Sequence, residues 1–158
     1  MPTFSVTQDL STEPPEVFAF LADARNMPRW NSGVAELGDE RPRPAHQGAR
    51  YRYRFPGRHR FHHLECSVYR APSLIGFRGQ PMWTPLGIQS VGYVFRVRPG
   101  ERGTTLRMTV DIHLYGGMLL LVPIVTLGWR RDLPQDMERL REVLEPAVPE
   151  RRDEPLTW

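Results

Sequence analysis

Residues 11–34 read STEPPEVFAFLADARNMPRWNSGV, and their reading decides the fold. Pro14 and Pro15 stand where the first turn of a helix lies, and a proline there gives up only an N–H that had no intrahelical partner. Thr12 is the expected N-cap. Val17, Phe18, Phe20 and Leu21 fall at i, i+1, i+3 and i+4 and form one apolar stripe, with Glu16 near the positive end of the helix dipole. Asn26 offers a second N-cap with Pro28 in the first turn behind it, and after Trp30 the chain turns at Asn31, Ser32 and Gly33. Two helices this short do not stand alone in water. They need a sheet to lie on.

The flanking sequence supplies one. Thr3 to Leu10 alternates Phe4, Val6 and Gln8 against Ser5, Thr7 and Asp9, and residues 33–40 read as a second strand. After the proline-bearing loop 41–48, Tyr51, Tyr53 and Phe55 share one face of a strand while Arg50, Arg52 and Arg54 share the other. In residues 60–70 the apolar phase places His62, Leu64, Cys66 and Val68 inward, with His63, Glu65, Ser67 and Tyr69 outward. Residues 74–79 form a short strand and QPMWTPLG (80–87) a loop. The longest strands, 88–98 and 104–114, make a hairpin with Tyr93, Phe95 and Val97 facing Leu106, Met108, Val110 and Ile112. This gives about seven antiparallel strands.

From Pro134 to Pro146 the period changes. Met137, Leu140, Val143 and Leu144 recur at helical spacing, with Asp136, Glu138, Arg139, Arg141, Glu142 and Glu145 opposite. The preceding GGMLLLVPIVTLGW (116–129) is apolar on every side, yet shorter than the ~18 residues of a membrane-span candidate. It is expected to be the buried first part of one closing helix, kinked at Pro123. The other reading makes Met118 to Trp129 a mobile lid that touches a lipid surface, a second copy in a homodimer, or a greasy ligand. Residues 1–148 are read as one domain and 149–158 as a loose tail.

The run PPEVFAFLADARNMPRW, with its Pro-Pro-Glu start, apolar helix, Asp-x-x-Asn and closing Trp, resembles the first helices of the polyketide cyclase/dehydrase group of the START/Bet v 1-like superfamily. Looser similarity in strand order and final helix extends over about residues 3–147. The resemblance implies an α+β helix-grip fold, in which a curved antiparallel sheet wraps a long C-terminal helix and leaves a cavity between them.

Bulk composition is that of a globular protein: 158 residues, 40% hydrophobic, 25% charged, net charge +3. All 21 basic residues are arginine. The alternating Arg50, Arg52 and Arg54 are open to two readings, a solvated sheet face or an anion patch. No zinc-finger, RRM or helix-turn-helix pattern accompanies them, so nucleic acid is not an expected partner. A single cysteine, Cys66, permits no internal disulfide, and the N-terminus has no signal-peptide pattern; a cytoplasmic protein is expected.

Ligand pockets are mostly apolar with a few polar groups. By strand alternation the lining would be Tyr51, Tyr53, His62, Cys66, Tyr93, Phe95 and Met108, and the resemblance implies Trp30 and Trp83 near the mouth. The expected ligand is a hydrophobic small molecule or lipid, held by a carrier or sensor. The alternative is a polyketide cyclase/aromatase-like enzyme folding a poly-β-keto chain in the same cavity, with His62 the best candidate for a general acid/base. No metal or cofactor is expected. His62 and His63 point to opposite faces of a regular strand, and His62 and Cys66 lie ~13 Å apart along it. No G-x-S-x-G or phosphate-binding glycine loop is present.

Overall fold

A computed structural model describes residues 2–39, 41–57 and 59–145. Pro146, the expected end of the closing helix, and the tail lie outside them. Strand β1 (Thr3–Leu10) is followed by helix α1 (Pro14–Ala22), a 3-10 turn at Ala24–Asn26 and the single-turn α2 (Met27–Trp30). Seven strands then follow: β2 (Glu36–Leu37), β3 (Arg50–Arg54), β4 (Phe61–Arg70), β5 (Leu74–Gly79), β6 (Met82–Thr84), β7 (Gly87–Gly100) and β8 (Gly103–Gly116). A 3-10 turn over Gly117–Leu121 leads into α3 (Val122–Leu144). The architecture is α+β, a curved antiparallel sheet gripping a long C-terminal helix.

The sheet runs β1-β8-β7-β5-β4-β3-β2, with β6 paired to β7. It has eight strands rather than seven, because the loop at 80–87 contains β6, and the strand expected over 33–40 contracts to two residues. β1 closes on β8 in full register from Thr3↔Asp111 to Leu10↔Thr104. The short helices insert between β1 and β2, so the sheet must curl around them.

Local expectations fail at identifiable points. Thr12 does not cap α1: Glu13 occupies the N-cap without a side-chain bond, and the Thr12 hydroxyl instead donates to the Leu144 carbonyl at 3.2 Å. Asn26 sits at the N-cap of α2 but spends its amide on the Phe20 carbonyl at 3.1 Å. In β4 the register slips between Cys66↔Phe77 and Val68↔Gly76. Ser67 is therefore the extra residue of a bulge, and the alternation inverts after it. Tyr69, expected outward, packs edge-on against Phe18 at 5.4 Å, and the inward assignment of Val68 is overturned.

The closing helix differs more. Pro123 lies in its first turn, where it disturbs nothing, so there is no kink there. The proline inside the helix is Pro134, which cannot donate to the Arg130 carbonyl. The segment read as buried is only partly so: Met118 is buried, but Leu119, Leu120, Ile124 and Leu127 are exposed. Asp136, assigned to the solvent face, is buried. It follows Leu133 by three residues and precedes Leu140 by four, so helical geometry sets it inside the apolar stripe.

The core lies between α3 and the inward rows of β7 and β8. Phe95, Leu106, Met108, Val110, Ile112 and Leu140 are fully excluded from solvent, and Trp30 from α2 meets Phe95 edge-on at 5.4 Å. On the outer face, Arg54 pairs with Glu36 at 2.5 Å and Arg52 with Asp39 at 3.5 Å. These acids occupy two of the three alternating arginines, in keeping with a solvated sheet face rather than an anion patch.

Candidate functional site

The space between sheet and helix is filled over most of its length by that core and stays open at one end. A partly open cavity of about 100 Å³ lies there, lined by Met27, Val34, Leu64, Met82 and Val91, with Asn31, Tyr53, Tyr93, Gln80 and Gln89 as its polar groups. A wider groove of about 370 Å³ adjoins it, lined by Ser32, Val125, Gly128, Asp132 and Asp136. The two chambers share Asn31, Gly33, Gln89 and Trp129. Trp129 is thus the one large side chain standing between them. Its ring leans on Tyr93 with centroids 6.2 Å apart.

Helical periodicity presents the groove wall. Val125, Gly128, Trp129, Asp132 and Asp136 are spaced by three, one, three and four residues, which is one face of α3. Opposite stands the turn after α2. Asn31 is buried, and its Oδ1 accepts the Gly33 N–H at 2.9 Å, an Asx turn that fixes the loop. Ser32 then donates twice to Asp136, from its N–H at 3.3 Å and its hydroxyl at 3.0 Å.

Burial dominates the electrostatics. It holds the Asp136 carboxyl above the usual carboxylate range, and the two Ser32 bonds offset this only in part. It pushes the Tyr53 phenol up to about 12. The Tyr93 phenol is also raised by burial, against the opposing pull of its hydrogen bond with Asn31. The Cys66 thiol rises to about 11 for the same reason. At neutral pH the tyrosines and the cysteine stay protonated. Among the described residues no group of three His, Cys, Asp or Glu side chains is placed to hold a metal ion.

The pattern of the family model described as polyketide cyclase / dehydrase and lipid transport matches residues 1–145. The chain belongs to that family. Among curated protein sequences none matches this member of the polyketide cyclase/dehydrase and lipid transport family. Solved structures share its fold. Protein MLL2253 from Mesorhizobium loti superposes with a TM-score of 0.70 at 17% identity, covering 93% of this chain and 99% of that one. Ara h 8.0201 gives 0.66 at 11% identity over 90% and 97%. The Aha1 dimer from Colwellia psychrerythraea gives 0.63 at 12% identity over 92% and 98%. At such identities the likeness shows the fold alone.

Within this family member the candidate lining divides. Tyr53 and Tyr93 line the inner cavity. Tyr51, Cys66, Phe95 and Met108 face inward but are spent on packing, and none is more than 1% exposed. The Tyr51 hydroxyl donates to the Arg43 carbonyl at 3.0 Å, and the Cys66 thiol to the Val68 carbonyl at 3.5 Å. His62 is half-buried against Phe55 and Tyr53, with ring centroids 5.5 and 6.1 Å away, and lines neither chamber. Trp30 is core rather than mouth. Trp83 is 82% exposed; its neighbour Met82 lines the cavity, because adjacent strand residues point to opposite faces. The sequence reading missed Asn31, Gln80, Gln89, Asp132 and Asp136 as lining residues, and it placed Trp129 only at the end of the apolar segment Met118 to Trp129. The spacing of 125, 128, 129, 132 and 136 was the available signal.

Proposed function

We propose that this protein binds a hydrophobic small molecule between its sheet and closing helix, as a carrier or sensor. One observation carries the reading: a partly open, mainly apolar cavity whose polar groups are neutral donors and acceptors. The family's description, which includes lipid transport, agrees with it. An inner space of about 100 Å³ is smaller than the ~150 Å³ apolar void that holds benzene, so it suits a short chain. A longer ligand would extend past Trp129 into the groove. The cyclase-like alternative lacks its principal candidate, because His62 lines neither chamber.

The first turns of α3 present one face to the groove, while Leu120 of the preceding 3-10 turn and Ile124 and Leu127 of α3 are exposed, followed by Arg130 and Arg131. We assign this rim to an anionic lipid surface: apolar side chains insert while the arginines meet phosphates. No helix among the described residues is long and apolar enough to cross a membrane, so the contact would be peripheral. Trp129, turned inward, takes no part in it.

Native mass spectrometry of protein purified without detergent and then offered n-hexanol tests the binding reading. A one-to-one complex is expected. Val91→Phe, which fills the inner cavity, should remove it. Failure of folded wild-type protein to bind any apolar probe would overturn the proposal.

A further inference from the structure

The chain carries 21 arginines and a net charge of +3, yet among the described residues no arginine or histidine lines either chamber. Among the described residues the charged side chains that line the two chambers are Asp132 and Asp136, both in the groove. Asp132 has an outside partner, Arg131, at 3.1 Å. Asp136 has no ion pair within 4.0 Å among the described residues, although it is only 5% exposed. A carboxylate offers about four lone-pair positions, and Ser32 fills two of Asp136's with its N–H and hydroxyl. The others are left for whatever occupies the groove. Two helical turns before it on the same face of α3, and lining the same groove, stands Trp129, and against Trp129 stands Tyr93, 6.2 Å away. A cation is attracted to the face of such a ring.

Resting on the binding reading above, we propose that the ligand is an organic cation: a protonated amine on a compact apolar body. The body occupies the inner cavity among Met27, Val34, Leu64, Met82 and Val91. The ammonium lies in the groove, donating to Asp136 and passing across Trp129. The same inventory disfavours carboxylates and phosphate esters, because their charge would meet two acids in the groove while no arginine or histidine among the described residues lines it. Neutral alcohols fall between, able to donate one hydrogen bond to Asp136 without charge.

Calorimetric titration at neutral pH with n-hexylammonium, n-hexanol and n-hexanoate tests this, since the three share one chain and differ in head group. Hexylammonium should bind about tenfold or more tighter than hexanol, the gain of a charge-assisted over a neutral hydrogen bond, and hexanoate should bind weakest. Asp136→Asn should bring the amine and alcohol to within a few-fold of each other while hexanol binding persists. Ser32→Ala, which frees a lone pair, should keep the amine preference. Hexanoate equal to hexylammonium, or an amine preference that survives Asp136→Asn, would overturn the assignment of the cation while leaving the binding reading intact. Binding of none of the three by folded protein would overturn both. If Asp136→Asn does not fold, the head-group order in the wild type decides the matter alone.

Discussion

Trp129 on the closing helix leans on Tyr93 of the central strand β7, ring centroids 6.2 Å apart and planes inclined by 60°, and Trp129 lines both chambers while Tyr93 lines the inner one alone. Trp129→Ala should merge cavity and groove. Stopped-flow mixing with an apolar fluorophore too large for the inner cavity should show faster uptake and tighter binding than in the wild type. Because Trp129 is only partly buried, the stability loss in urea should be about 1–2 kcal/mol, below the ~3–5 kcal/mol of a fully buried Trp→Ala change.

Asp136 sets a pH dependence of stability. Its carboxyl binds a proton more tightly in the folded chain than in the unfolded one, where the value is ~3.9. Its contribution is fully present below that unfolded value and is lost as pH rises through the folded value. Asp136→Asn keeps the size and a partner for Ser32 but never ionises. The variant should melt at a higher temperature than wild type near pH 7, and the difference should vanish toward pH 3. A difference constant across that range would refute the linkage.

Cys66 should be silent in the native state. It is completely buried, and burial pushes its thiol up to about 11, so almost none is thiolate at neutral pH. A chromogenic disulfide reagent should label it only in denaturant, with one equivalent released.

Gly87 is expected to be intolerant. It has φ of +151°, and an added Cβ would fall 2.0 Å from the Tyr115 carbonyl oxygen, a contact with backbone that no side-chain movement relieves. Gly87→Ala should cost about 2–4 kcal/mol in chemical denaturation. Gly128→Ala, where a Cβ meets nothing within 4 Å, serves as the control and should be neutral or mildly stabilising.

Leu120 and Leu127 are 85% and 72% exposed, so the double change to Asp should alter stability by less than ~1 kcal/mol. It should nonetheless abolish co-sedimentation with phosphatidylserine vesicles. A wild-type chain that dimerises in solution and ignores vesicles would instead identify the rim as a subunit interface.

The helix-grip architecture was legible because it depends on coarse signals: paired prolines opening a short apolar helix, two long alternating strands, and a change of period near Gly116. What escaped was decided by single residues. One extra residue at Ser67 inverts the phase of Val68 and Tyr69, and alternation alone cannot locate a bulge. Facing inward is also not the same as facing a cavity. Phe95 and Met108 were placed on the correct side of the sheet, but whether the space beyond them is empty depends on Trp30, Met137 and Leu140 arriving from other elements. Asp136 was hidden by its charge, which outweighed its position in the stripe.

The mid-helix proline has a consequence for cooperativity. Pro134 removes a rung of the hydrogen-bond ladder just after Leu133, while Leu133, Met137 and Leu140 fasten the remaining turns to the sheet. The turns before it hold the groove wall and little of the core. Amide exchange should therefore split α3 into two classes, with residues 124–129 exchanging through sub-global opening and residues 137–143 only through global unfolding. Such a split would let the groove wall open while the part of the helix that holds the core stays in place.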